Sequence, residues 1–332
     1  MAVSVGINGF GRIGRNFLRA AKDNPDIEIV AVNDLADIET LAYLLKYDSI
    51  LGSLSEEVRA DGDNLVVGGR KVKVTSIRDP KELPWKEMGV KVAVESTGHF
   101  TKAKDAAAHL DAGAERVIIS APSDNPDITI VMGVNDDKFD PGKHRIISNA
   151  SCTTNALAPV SKVLVDEYGV ENAYMTTIHA YTNDQQLLDF PHKDLRRARA
   201  AAISLIPTST GAAKAIGLVV PELEGKMDGI AVRAPVSDGS LVDLTVNLSR
   251  ETTAAEIKEA MKKASEGRMK GILIYMEDPI VSIDVVGNPA SSVFDSALTF
   301  AKGKLAKVFA WYDNEWGYSN RLVDLILLTA KS

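Results

Sequence analysis

The sequence is poor in cysteine, with Cys152 alone among 332 residues. A single thiol excludes an intramolecular disulfide and a cysteine-rich zinc site. No apolar run reaches the ~20 residues that cross a bilayer, and the longest, Leu322 to Ala330, is interrupted by Asp324. The first residues also lack the basic and apolar regions of a secretory signal. These absences predict a protein of the reducing cytoplasm with no membrane segment.

Positive charge and metal-binding motifs are scarce as well. The chain has 38 Lys and Arg against 45 Asp and Glu, a net charge of −7, so nothing global attracts nucleic acid or an anionic membrane. None of the five histidines has the spacing of a His-Glu-x-x-His motif, and no metal is expected. An anionic ligand must therefore be held by local basic groups. The length predicts two domains.

The first half of the sequence alternates strand and helix patterns. A strand at Val3 to Ile7, a helix at Arg12 to Ala21 and a strand at Ile27 to Val32 form a βαβ unit. Further elements are predicted at Asp37–Lys46 (helix), Val90–Val94, Arg116–Ile119, Ile128–Val131 and Arg145–Ile147. This alternation predicts a doubly wound, parallel α/β sheet of the Rossmann type. Gly68-Gly69 predicts an inserted antiparallel hairpin.

After about residue 150 the pattern changes to strand-like runs separated by few helices. These runs are Met175–Ile178, Ile230–Ala234, Leu241–Asn247 and Ile272–Met276. They predict an α+β domain with a mixed, mostly antiparallel sheet. A capping box from Thr253 to Glu256 predicts a helix that covers this sheet, and Ser319 to Thr329 reads as one more apolar helix.

A glycine-rich turn follows the first predicted strand. Residues 9–14 match the pattern G-x-G-x-x-G and open a helix, so the context of a dinucleotide site is present. Arg12 and Ile13 would offer helix N-terminal amides to a pyrophosphate. Asp34 ends the second strand 20 residues after Gly14, the spacing of the carboxylate that binds ribose hydroxyls. A carboxylate there repels a 2′-phosphate, which favours NAD over NADP.

The only thiol precedes a helical pattern and lies between hydroxyl-bearing neighbours. A cysteine at a helix N-terminus has a lowered thiol pKa and is nucleophilic, although a free cysteine is more often a small buried apolar residue. His179, at the end of a predicted strand, is the best candidate for its base, and as a cation it would lower the thiol pKa further. A purely structural histidine is the alternative reading.

Cations are concentrated in one stretch, at Lys193, Arg196, Arg197 and Arg199. By charge alone this is a solvated surface. Two other stretches add hydroxyl, amide and guanidinium donors: Pro207 to Gly211, and Arg233 in a strand-like run. Such donors are what phosphate oxygens require.

Several segments together resemble a known family. They are Asn8 to Arg15, Glu95 to Gly98, Ser151 to Asn155, Ser209 to Lys214 and Trp311 to Glu315. With these segments the chain resembles the phosphorylating glyceraldehyde-3-phosphate dehydrogenases over nearly all 332 residues. The resemblance implies an NAD-binding domain at 1–150, joined by 315–332, and a catalytic domain at 151–314.

The same resemblance implies a role for each of the following residues. It implies Cys152 as nucleophile and His179 as base. It implies NAD contacts from Gly9, Gly11, Arg12, Ile13, Asp34, Arg78, Thr97, Ser120 and Asn314. Thr182, Arg197 and Arg233 would surround the substrate phosphate, and Ser151, Thr153, Thr210 and Gly211 the attacking inorganic phosphate. The substrate would be glyceraldehyde 3-phosphate, and the assembly a homotetramer in which residues 181–202 lie against a neighbouring subunit.

Two other functions remain open from the sequence. A related erythrose-4-phosphate dehydrogenase would share the cofactor site and the nucleophile. A non-catalytic NAD-binding regulator would keep the fold without the chemistry, although the presence of both Cys152 and His179 argues against it.

Overall fold

The computed structural model describes residues 2–330. Met1, Lys331 and Ser332, which the predicted domain limits include, lie outside the described residues. The chain divides into two compact units. The first holds the described residues among 1–130, 136–150 and 319–332, and the second holds 131–135 and 151–318.

The first unit is built on a nine-stranded sheet. Its strands are β1 (Val3–Asn8), β2 (Ile27–Asn33), β3 (Val58–Asp61), β4 (Asn64–Val67), β5 (Arg70–Thr75), β6 (Val92–Glu95), β7 (Arg116–Ile119), β8 (Ile128–Thr129) and β9 (Ile146–Ser148). The order is β3-β4-β5-β2-β1-β6-β7-β9-β8. All pairs from β5 to β8 along this order are parallel, whereas β3, β4 and β5 pair antiparallel. The parallel sheet and the inserted hairpin are therefore confirmed.

Among the described residues, the α-helices between these strands are α1 (Arg12–Ala21), α2 (Ile38–Lys46), α3 (Ala103–Ala106) and α4 (Ala108–Asp111). Helix α2 begins one residue later than predicted because Asp37 caps it, its carboxylate accepting from the backbone N–H of Thr40. A core cluster that includes Trp85, Val90 and Ala93 packs against this sheet.

The second unit is built on an eight-stranded sheet. Its strands are β10 (Val170–Ala180), β11 (Ile206–Ser209), β12 (Met227–Ala234), β13 (Ser240–Leu248), β14 (Leu273–Met276), β15 (Ser292–Asp295), β16 (Phe300–Lys302) and β17 (Leu305–Tyr312). The order is β11-β12-β10-β13-β17-β15-β14, with β16 beside β17. Only β10/β12 and β14/β15 are parallel pairs among these strands. The predicted mixed, mostly antiparallel sheet is confirmed.

Later helices are α5 (Cys152–Tyr168), α6 (Ala212–Val219), α7 (Ala254–Glu266) and α8 (Trp316–Ala330). The capping box of α7 is present, with Thr253 and Glu256 bonded to each other's backbone N–H. Helix α8 begins three residues before its predicted start. Within residues 2–330, none of the helices combines the length and the apolar character that a bilayer crossing requires.

Candidate active site

The glycine turn after β1 uses each glycine for a different reason. Gly9 has φ of +93°, and a Cβ there would lie 2.6 Å from the backbone N of Thr97. A Cβ on Gly14 would lie 2.2 Å from the carbonyl oxygen of Gly9, so helix α1 packs on the turn only without a side chain. A Cβ on Gly11 would meet no atom within 4 Å. The backbone at Gly11 therefore stays open to a ligand.

Asp34 lies at the end of β2 and is bound to the glycine turn. Its Oδ2 accepts from the backbone N–H of Phe10 at 2.7 Å, and its Oδ1 accepts from that of Ala36 at 3.0 Å. The neighbouring Leu35 is 52% exposed and supplies no cation. A carboxylate is thus held beside the turn where a ribose would bind.

A cavity of about 390 Å³ lies at these strand ends. Its lining comprises Asn8, Gly9, Gly11, Asn33, Asp34, Leu35, Ile77, Arg78, Ser96, Thr97, His99 and Phe100. Five of the residues expected to contact NAD meet here: Gly9, Gly11, Asp34, Arg78 and Thr97. An open glycine backbone, a helix N-terminus and a fixed carboxylate fit a dinucleotide.

The other expected cofactor residues lie outside this lining. The guanidinium of Arg12 donates to Asp48, at 2.5 and 3.3 Å, and Arg12 and Ile13 are the first two residues of α1. The backbone N–H of Ser120 donates to the carbonyl of Glu95 at 2.9 Å. Asn314 belongs to the second unit, where its Oδ1 accepts from Ser240 Oγ at 2.6 Å.

In the second unit, Cys152 is the first residue of helix α5 and Sγ lies 3.4 Å from His179 Nε2. The Ser151 hydroxyl caps the helix by accepting from the backbone N–H of Thr154 at 3.0 Å. His179, near the end of β10, is 5% exposed. The expected thiol and imidazole are therefore in contact, although 27 residues separate them in the chain.

Arg233 lies beside the imidazole because β10 and β12 pair with His179 opposite Arg233. Its NH1 atom is 2.9 Å from His179 Nδ1 and donates to the carbonyl of Ala180 at 3.1 Å. His179 Nδ1 is also 2.7 Å from that carbonyl. With its proton on Nδ1, His179 donates to the carbonyl of Ala180 and its Nε2 lone pair faces the thiol. Arg233 NH1 then donates to that carbonyl and not to Nδ1.

Burial sets the protonation of this pair. It lowers the pKa of His179 to about 4, and the positive charge of Arg233 acts in the same direction. Burial also raises the pKa of the Cys152 thiol to about 11, with Arg233 opposing. The expectation of a lowered thiol pKa and a cationic histidine is therefore wrong for this chain. Loss of hydration is the largest influence on the thiol pKa, larger than the opposing charge of Arg233 and the hydrogen bonds with Thr153.

Asp184 joins the three residues expected around the substrate phosphate. Its carboxylate accepts from the Thr182 hydroxyl and from Arg197, and lies 4.0 Å from Arg233 NH2. Burial opposes ionisation, yet the Thr182 hydrogen bond and the two guanidinium groups hold the pKa of Asp184 below its usual value. Of the predicted basic stretch only Arg197 joins this group, because Lys193, Arg196 and Arg199 are exposed.

The residues expected around inorganic phosphate lie at two helix starts. Ser151 caps α5, and the Thr210 hydroxyl accepts from the N–H of Ala212 at 3.2 Å where α6 begins after Gly211. The Thr153 hydroxyl lies 2.9 Å from the hydroxyl of Tyr312.

Sequence reasoning missed Tyr312, Asp184 and a pair of buried acids. The hydroxyl of Tyr312 also lies 2.8 Å from the Thr177 hydroxyl, in a site that raises its pKa. Burial, together with Asp313, raises the pKa of Asp238 to about 8. Asp184 had a signal because it follows Thr182 closely in the chain, and Tyr312 and Asp313 lie in the segment Trp311 to Glu315 that carries part of the resemblance.

Among the described residues, no group of three or more histidine, cysteine, aspartate or glutamate side chains has the arrangement of a metal site. The fold and the site define the class: a chain with a Rossmann-type dinucleotide cavity in one unit and, in the other, a cysteine in contact with a buried histidine.

Comparison with known proteins identifies the family. The model of the glyceraldehyde 3-phosphate dehydrogenase NAD binding domain matches residues 3–103, and that of the C-terminal domain matches 151–314. Glyceraldehyde-3-phosphate dehydrogenase of Geobacillus stearothermophilus is 61% identical over 98% of this chain and 97% of its own. Glyceraldehyde-3-phosphate dehydrogenase 1 of Bacillus subtilis is 60% identical over 100% of this chain and 99% of its own. The chain belongs to the glyceraldehyde 3-phosphate dehydrogenase family.

Proposed function

We propose that this chain oxidises glyceraldehyde 3-phosphate, with NAD and inorganic phosphate, to 1,3-bisphosphoglycerate. The observation that carries the proposal is the 3.4 Å contact between Cys152 Sγ and His179 Nε2. Relatives about 60% identical over nearly the whole chain are named for this activity. Those names do not favour erythrose-4-phosphate dehydrogenase or a non-catalytic regulator. Residues 1–150 with 315–332 bind NAD, and 151–314 carry the chemistry.

The reaction begins with addition of the thiol to the aldehyde. His179 Nε2 removes the proton from Cys152 as sulfur bonds to the carbonyl carbon, and the imidazolium returns the proton to the carbonyl oxygen. The product is a thiohemiacetal. Because the pKa of the thiol is about 11 and that of the imidazole about 4, the proton moves during the addition rather than before it. A positioned base of this kind contributes about 10²–10⁴-fold.

His179 next removes the hydroxyl proton as hydride leaves the carbon, which yields a thioester on Cys152. NAD supplies the hydride acceptor. An oxygen of inorganic phosphate then attacks the thioester carbonyl, the carbon–sulfur bond breaks, and the imidazolium reprotonates the sulfur. The proton of the attacking phosphate passes to solvent.

Two sets of donors bind the phosphates in this proposal. Thr182, Arg197 and Arg233 bind the phosphate of the substrate, and Ser151, Thr153, Thr210 and Gly211 bind inorganic phosphate. In support, Arg233 contacts His179 directly, and Thr182 and Arg197 share the carboxylate of Asp184. Donors fixed in advance lose little entropy when they bind an anion.

The functional assembly in this proposal is a cytoplasmic homotetramer. Six large apolar side chains of one segment are 65–84% exposed: Leu187, Leu188, Phe190, Leu195, Ile203 and Leu205. Apolar side chains concentrated in this way are typical of an interface between chains. The mass of the purified protein in solution, compared with four times 35.7 kDa, tests the assembly.

Initial rates of NADH formation test the activity. Glyceraldehyde 3-phosphate, NAD and phosphate together are expected to give turnover, with kcat/KM at least about tenfold above that for erythrose 4-phosphate, a difference of about 1.4 kcal/mol. A higher kcat/KM on erythrose 4-phosphate would assign the activity to that aldehyde. Binding of NAD without turnover on either aldehyde would favour the non-catalytic regulator.

A further inference from the structure

A chain of buried hydrogen bonds lies behind the dinucleotide cavity and uses side chains that the proposed reaction does not. The indole Nε1 of Trp85 donates to His109 Nδ1 at 2.9 Å. The other ring nitrogen, His109 Nε2, lies 2.9 Å from Glu95 Oε2. Trp85 and His109 are fully buried, and Glu95 is 2% exposed. A buried carboxylate and imidazole are costly unless their hydrogen bonds are satisfied.

The indole of Trp85 fixes the direction of the two hydrogen bonds that run from Trp85 through His109 to Glu95. An indole N–H only donates, so His109 Nδ1 must accept and carries no proton. The ring proton therefore lies on Nε2, which donates to Glu95. Trp85 thus selects the tautomer of His109.

The hydrogen bonds that reach Glu95 through Asn33 and Asn8 have an equally fixed direction. Asn33 Oδ1 accepts from the backbone N–H of Ile77 at 2.9 Å, so Asn33 Nδ2 donates to Asn8 Oδ1 at 2.7 Å. Asn8 Nδ2 then donates to Glu95 Oε2 at 2.6 Å. The second oxygen of Glu95 accepts from the backbone N–H of Thr97 at 2.9 Å and from the Thr97 hydroxyl. Glu95 thus accepts four hydrogen bonds, from Asn8, from His109 and from the N–H and hydroxyl of Thr97, and only an ionised carboxylate accepts all four.

The partners of Glu95 connect it to the cavity. Asn8, Asn33, Ile77 and Thr97 all line the cavity, whereas Glu95 does not. Asn8 and Asn33 end β1 and β2, and Ile77 and Thr97 follow β5 and β6. Glu95 bonds directly to Asn8 and Thr97, and it reaches Asn33 and Ile77 through Asn8.

We propose that Glu95 and His109 are positioning residues of the dinucleotide site, which hold Asn8 and Thr97 and thereby set the spacing of the strand ends that bind NAD. The inference rests on the proposed function only in taking NAD as the ligand.

A Gln side chain at position 95 cannot replace the carboxylate. Its NH₂ group would face either the donors of Asn8 and His109 or the backbone N–H of Thr97. Turning the Asn8 amide over would place its NH₂ against that of Asn33, which is held by both the N–H and the carbonyl of Ile77. Either orientation of the Gln amide therefore disturbs Asn8, Asn33 or Thr97, which line the cavity.

Position 109 provides a conservative pair of variants. A Gln side chain there has a carbonyl that can accept from Trp85 and an NH₂ that can donate to Glu95. A Leu side chain of similar size does neither. His109→Gln is thus the rescue variant and His109→Leu the disruptive one.

The experiment measures the dissociation constant of NAD by titration of the purified full chain, in wild type, Glu95→Gln, His109→Gln and His109→Leu. The control is Glu28→Gln, an exposed carboxyl of β2. Glu95→Gln and His109→Leu are expected to weaken NAD at least about tenfold, while His109→Gln and Glu28→Gln stay within about twofold. Turnover at saturating NAD, and alkylation of Cys152 without NAD, are expected to change less than the NAD affinity.

A second readout is the nitrogen NMR spectrum of His109, expected to show a proton on Nε2 and none on Nδ1. The opposite tautomer, or equal NAD affinity in the two His109 variants, would overturn the inference. The His109 pair also decides the case if Glu95→Gln does not fold. If wild type binds NAD normally but shows no turnover, the proposed function is contradicted and this inference still stands.

Discussion

Arg233 lies opposite His179 in the parallel pair β10/β12, with its NH1 atom 2.9 Å from His179 Nδ1. Burial and this fixed cation both disfavour the imidazolium, which is why the pKa of His179 is lowered to about 4. The imidazole is therefore neutral at assay pH and can accept a proton at Nε2.

The raised thiol pKa predicts how Cys152 reacts with an alkylating reagent. Without NAD, iodoacetamide should label one site per chain, because there is one thiol. The rate should keep rising with pH toward about 11. Mass spectrometry and a pH–rate series measure both, and Cys152→Ser, which should remain unlabelled, is the control. A plateau reached by neutral pH would mean that the thiolate is already stabilised.

Replacement of His179 by Asn should slow hydride transfer by roughly 10²–10⁴-fold and leave NAD affinity intact. The neutral histidine is not a cationic partner of the thiol, so its removal should not raise the thiol pKa through lost charge. Stopped-flow measurement of NADH and NAD titration separate the two effects. Wild-type hydride transfer in this variant would exclude His179 as the base.

Asp34 should set the choice of cofactor. Asp34→Gly removes hydrogen bonds to the ribose, each worth roughly 1.5–3 kcal/mol when charge-assisted, and relieves repulsion of a 2′-phosphate. The preference ratio for NAD over NADP should fall at least about tenfold, or roughly 1.4 kcal/mol.

Asp34→Asn is the matched variant for this test, because its amide oxygen can still accept from Phe10 while the charge is lost. It should lower the same ratio with a smaller loss of NAD affinity. Values of kcat/KM for both cofactors measure the effect, and an unchanged ratio in both variants would place the discrimination elsewhere.

Asp238 should make stability depend on pH. Its folded pKa, about 8, lies above the ordinary 3.8, so the folded state favours the neutral acid. That contribution is present at low pH and is lost as pH rises from about 4 to about 8. Asp238→Asn should therefore gain melting temperature relative to wild type across this range.

The contrasting variant is Asp313→Asn. Asp313 accepts from the backbone N–H groups of Gly287, Glu315 and Trp316, so this change weakens those hydrogen bonds and should give a lower melting temperature than Asp238→Asn. Thermal unfolding series from pH about 4 to 9 compare the two variants. A constant difference between Asp238→Asn and wild type would contradict the raised pKa.

Sequence patterns located the parts of the fold that carry strong local signals. The glycines at 9, 11 and 14 and the carboxylate of Asp34 are set by local turn geometry and strand length, so their spacing predicted the cavity. Strand β17 was missed, although Leu305–Tyr312 alternates buried and more exposed residues, because Ala and Lys weaken the pattern. The strand is fixed mainly by its long pairing with β13.

The parts of the site that the sequence did not predict depend on contacts between residues that are far apart in the chain. The hydroxyls of Thr153 and Tyr312 meet across 159 residues. The thiol pKa depends on how much protein surrounds the sulfur, whereas the sequence shows only its neighbours. Local helix-start chemistry therefore predicted the position of Cys152 correctly and its pKa wrongly.

A single-turnover experiment without inorganic phosphate tests the central claim most directly. Wild type mixed with NAD and glyceraldehyde 3-phosphate should produce a burst of no more than one NADH per chain, and acid quenching followed by mass spectrometry should find the acyl group on Cys152. His179→Asn should show the same end point at a much slower rate. An acyl group on any other residue, or NADH formation by Cys152→Ser, would contradict the account.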